Sequence, residues 1–111
     1  MNILKLFSFA EEKEFALELV QRLRRELPPS ALEKQGKGIT VNKITRVLER
    51  TYHVALTYQK ERRIGFVRRA VLANNFKWAL RNNNYPVDFI DLATEGLVVS
   101  MTKRKVAEAG K

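Results

Sequence analysis

Glu49 and His53 stand four residues apart, so on a helix their side chains meet on one face. A carboxylate beside an imidazole is half of a metal site or an acid–base pair. His53 is the only histidine, cysteine is absent, and no third ligand stands at a matching spacing. An ordinary surface pair is the expected reading. Asp88, Asp91 and Glu95 fall on one side of a helix, and clustered carboxylates can hold magnesium for phosphodiester chemistry. The wet face of a short helix explains them more simply. The chain has no G-x-S-x-G, no Walker loop and no dinucleotide fingerprint. Gly36-Lys37-Gly38 is a basic loop and nothing more. No catalytic residue, metal site or cofactor is therefore expected.

The basic residues carry more information. Lys43, Arg46 and Arg50 recur about one helical turn apart, Arg62, Arg63, Arg68 and Arg69 follow, and Lys77 and Arg81 lie beyond. Residues 31–84 hold twelve basic against three acidic residues, whereas 1–30 and 85–111 are each balanced. The whole net charge of +9 thus sits in the middle of the chain. Charge concentrated in this way suits an anionic partner. Lys and Arg on phosphates release condensed counterions and supply affinity without reading sequence. These nine residues are the expected contact set for DNA or RNA. Asn42, Gln59, Asn74 and Asn75 can reach base edges, but their spacing demands no base reading.

A second reading competes with the first. Phe66, Phe76, Trp78 and Tyr85 lie among Arg and Lys, where rings can stack on the bases of a single strand. Their helical spacing instead assigns Phe66 and Phe76 to a core. If the helix that carries them is apolar nearly all round, a second subunit or an acidic protein can cover it. Phe76 and Trp78 are then the interface candidates of a homodimer or adaptor.

These residues need elements to hold them. Four punctuation points divide the chain: Pro28-Pro29, Gly36 to Gly38, Asn82-Asn83-Asn84 with Pro86, and Gly96. A first helix is predicted from Phe9 to Leu27, opened by a Ser8/Glu11 capping box and ended by Pro28. Its charges follow the helix dipole, Glu11, Glu12 and Glu14 early and Arg22, Arg24 and Arg25 late. A second helix is predicted from Val41 to Lys60 on the spacing of Ile44, Val47, Leu48, Thr51, Val54, Ala55 and Tyr58. A strand over residues 53–58 is the rival, because that stretch alternates and is rich in β-formers. A third helix runs from Phe66 to Arg81, apolar on most sides and so central. Asn at its end suits a left-handed cap. Pro86 opens a short fourth helix that stops at Gly96. Leu97 to Thr102 reads as a strand, paired with Asn2 to Phe7.

The expected architecture is mainly α. Three to four helices surround a central apolar helix, and a small two-stranded β ribbon joins the N- and C-terminal segments. One compact domain covers residues 1–102, with a basic, disordered tail at 103–111. The apolar start is too short for a secretory leader and meets Glu11 and Glu12 at once. No apolar stretch approaches the roughly 20 residues of a membrane span. A cytoplasmic protein is expected.

Overall fold

The computed structural model describes residues 9–33 and 40–109. Among them lie five helices and no strand: α1 (Ala10–Glu26), α2 (Pro29–Glu33), α3 (Val41–Arg62), α4 (Phe66–Asn82) and α5 (Val87–Ala109). α1 and α5 each pack against both α3 and α4. The four long helices thus close a ring, α1–α4–α5–α3, with α3 and α4 at opposite corners. α2 was not foreseen from the sequence.

Local chemistry sets the ends. The Thr40 side chain caps α3 by accepting from the Lys43 amide at 3.1 Å. α3 stops at Arg63, whose φ of 51° is left-handed. The Arg63 and Ile64 amides both donate back to the Gln59 carbonyl, which otherwise has no helical partner. After α4, Asn84 takes the left-handed conformation at φ 65°, as an asparagine run predicts. Ser8 lies outside the described residues. Phe9 stands at the cap of α1 and makes no side-chain capping bond.

Direction follows from cross-helix contacts. Arg50 meets Glu26 and Arg62 meets Glu11, so α3 runs antiparallel to α1. Tyr52 donates to the Ala93 carbonyl (2.9 Å) and Gln59 to that of Met101 (3.5 Å), so α3 and α5 run the same way. Arg24 reaches Asn83 (3.2 Å), and the buried Tyr85 donates to the Leu27 carbonyl (2.6 Å), which holds the carboxyl ends of α1 and α4 together. Burial pushes the Tyr52 and Tyr85 hydroxyls up to about 12, so both remain neutral donors. The core between the helices includes Leu19, Leu23, Val47, Ala55, Leu72, Phe76, Leu80, Ala93 and Leu97.

The helix predicted through 53–58 stands and its rival strand reading fails, because α3 is continuous there. Three expectations change. The β ribbon is absent from the described residues: Leu97–Thr102 is helix, and its proposed partner at 2–7 lies outside them. Ile90, Ala93, Leu97 and Met101 recur at helical spacing and are all buried, whereas Val98 and Val99 face outward. Burial of that stripe outweighs the local β preference. Gly96 does not end the fourth helix either. A Cβ there would lie 2.1 Å from the Tyr52 hydroxyl, so glycine lets α3 approach α5 closely, and α5 continues to Ala109, taking in seven residues of the segment read as tail. Finally, α4 is not central. It is one corner of the ring, and Phe66, Val67 and Trp78 lie exposed on it.

Candidate polyanion interface

The ring divides the nine basic residues. α3 and α4 occupy opposite corners of the ring and meet at the turn over residues 63–65. Arg62, Arg63, Arg68 and Arg69 surround the turn from α3 to α4. Lys43 is nineteen residues before Arg62 on α3, roughly 28 Å away along the axis.

Two of the arginines are already engaged. Arg50 is ion-paired with Glu26, and Arg62 with Glu11 at 2.5 Å. Arg62 also lies over the Tyr58 ring, 5.8 Å from its centre. Arg81 covers the Trp78 ring at 5.3 Å, which leaves Trp78 half exposed and shielded on one face by a cation. Phe76 is fully buried. It is a core residue and no interface candidate. Phe66, read as core, is 77 % exposed. Position on the ring, which spacing within one helix cannot show, decides both cases.

What the fold does gather lies at the end where α1 finishes and α3 begins. Lys43, Arg46 and Arg50 form an exposed stripe along the first half of α3. Arg22 joins Arg50 in the α1–α3 groove with Leu19, Glu26, Thr51 and Val54. Arg25 and Arg24 follow on α1, and Arg24 leads to the end of α4 near Arg81 through its bond to Asn83. Lys43, Arg46, Arg22 and Arg25 make no ion pair among the described residues. Glu26 and Glu49 are the carboxylates lining the grooves beside the stripe. The first turn of α3 carries no acidic residue, so its positive dipole end adds to the same field.

Sequence reasoning overlooked Arg22 and Arg25. It assigned them to the dipole of their own helix, and the even charge balance of residues 1–30 concealed them. Only the antiparallel docking of α1 on α3 brings Arg22 into one groove with Arg50, with Arg25 exposed one turn further along α1.

The opposite half of the α1–α3 seam has another character. Glu11, Glu14, Glu18, Glu61 and His53 line a groove there, with Phe15 stacked on Tyr58 at 3.9 Å. Among the described residues no group of three or more His, Asp or Glu is arranged to hold a metal ion. Glu49 and His53 share a shallow groove with Arg46 and Arg50. Asp88, Asp91 and Glu95 are exposed near the start of α5. No helix among the described residues is long and apolar enough to cross a membrane. No protein-family model, curated protein or solved structure matches the chain.

Proposed function

We propose that this protein is a small, non-catalytic nucleic-acid-binding domain. Its phosphate contacts come from the first half of α3 and the last half of α1: Lys43, Arg46 and Arg50 with Arg22 and Arg25. The observation that carries the reading is the exposed α3 stripe lying beside Arg22, with Glu26 as its one ion-paired acid among the described residues. Arg62 is less available, since Glu11 and Tyr58 hold it. Arg63, Arg68, Arg69, Lys77 and Arg81 contribute to the long-range positive field that draws a polyanion in. Nothing in the stripe favours particular bases, so contact with the phosphate backbone dominates.

The test is fluorescence anisotropy of labelled duplex DNA, single-stranded DNA and RNA at several salt concentrations, with heparin as competitor. Five phosphate contacts on duplex DNA give a log–log salt slope of about −4.5. Lys43→Glu with Arg46→Glu should abolish binding while the far-ultraviolet circular dichroism is unchanged. Comparable weak binding to every probe, or binding that survives the double charge reversal, overturns the proposal.

A further inference from the structure

The seam between α4 and α5 holds a groove of about 460 Å³. Phe66, Ala70, Ala73, Val98 and Met101 supply its apolar lining, and Asn74, Thr94 and Thr102 its neutral polar groups. Two cations, Arg69 and Lys77, also line it, and among the described residues no carboxylate does. Phe66 is exposed at one end, and Val98 is 43 % exposed along the wall. Large apolar side chains left in water beside a trough of small residues mark a surface shaped for a partner.

We infer that this groove receives an amphipathic helix of another protein, one whose apolar stripe is flanked by Asp or Glu. Three observations select that occupant. First, the walls are two long neighbouring helices and the α4 floor is alanine, which is how a third helix seats its ridge. Phe66 to Lys77 spans eleven residues of α4, roughly 17 Å, or three turns of a docked helix. Second, Arg69 and Lys77 are eight residues apart, roughly 12 Å along α4. A fatty acid has one headgroup and can satisfy one of them; a helix with carboxylates two turns apart satisfies both. Third, the cations disfavour a second copy of this chain. A two-fold contact would bring Arg69 and Lys77 of both copies against one apolar seam whose described lining residues include no carboxylate. Met101, unbranched and polarisable, allows the wall to adapt to the incoming side chains.

The full chain is panned against a displayed library of helical peptides about 16 residues long, randomised on one face, and the enriched peptides are synthesised. The expected winners carry Leu, Ile, Met or Phe at i, i+4 and i+7 with Asp or Glu alongside. Ala70→Trp, an exposed position that fills the trough, should weaken them about tenfold or more. Arg69→Glu with Lys77→Glu should weaken them similarly and transfer preference to the same peptides bearing Lys for Glu. Lys43→Glu with Arg46→Glu should leave them bound, which separates this site from the polyanion face. An absence of enriched peptides, winners without acidic residues, or winners indifferent to both groove variants overturns the inference. A chain that sediments as a dimer which Ala70→Trp splits also overturns it, in favour of self-association.

Discussion

Two seams of one helical ring are finished differently. Between α1 and α3 a groove of about 450 Å³ is bordered by groups that satisfy one another. Arg50 holds Glu26, Arg62 holds Glu11, Phe15 stacks on Tyr58, and Tyr58 donates to the buried Glu12 at 2.7 Å. Between α4 and α5 the groove has no such border, and exposed Phe66, Val98 and Val99 lie along or beside it. The first seam stabilises itself with local pairs and leaves its spare cations at one end. The second leaves apolar area and two cations with no acid partner among the described residues. The contrast teaches that charge alone does not locate a binding surface in this protein. What matters is which charges the fold leaves without partners.

The largest test of the contrast uses two phenylalanines ten residues apart on α4. Phe76→Ala empties a fully buried site and should lower unfolding free energy by about 3–5 kcal/mol. Phe66→Ala, at the mouth of the groove, should stay within about 0.5 kcal/mol. Urea denaturation of both variants measures this. Equal losses would mean that Phe66 is packed and the α4–α5 seam closed.

A middle-sized effect is expected at the α1–α3 seam. Glu12 is buried, one of its oxygens has no partner among the described residues, and the other accepts from Tyr58. Burial, followed by the bond to Glu12, holds the Tyr58 hydroxyl well above its ordinary pKa, so it remains a donor. Tyr58→Phe keeps the stacking on Phe15 and removes that donor. The cost should be about 1–3 kcal/mol, the range for stranding a buried polar group. Glu12→Gln in the Tyr58→Phe background should recover part of it, because a neutral amide is easier to bury. No recovery would show that the carboxylate is solvated and the seam looser than described.

The smallest effect belongs to the surface ion pairs. Glu26 and Arg50 are both about half exposed, as are Glu11 and Arg62. Arg50→Ala and Arg62→Ala should each cost less than about 1 kcal/mol and lose even that in high salt. In nucleic-acid binding the two should separate: Arg50→Ala weakens it and Arg62→Ala does so far less. Equal effects would erase the distinction between the two ends of α3.

Much of the helical layout was legible from residue order. The apolar spacing of α1 and α3, the Pro28 stop, the cationic stripe at Lys43, Arg46 and Arg50, and the left-handed Asn84 all rest on interactions within a few residues, and the structure repeats them. Where several elements meet, local pattern misled. Leu97 to Thr102 has strand-like residues, yet the fold uses Leu97 and Met101 on a helical stripe. Gly96 looks like a break and is a point of close approach to Tyr52. Phe66 and Phe76 read alike and differ completely in burial.

The physical reason is range. Helix starts and stops, amphipathic stripes and the site of the charge excess depend on neighbours three or four positions away, so the sequence by itself determined them. Which stripe faces which depends on contacts between residues up to fifty-nine positions apart, as with Arg24 and Asn83. Only the ring of helices could decide that α3 and α4 stand at opposite corners, that Arg22 shares a groove with Arg50, and that Phe66 opens onto a groove.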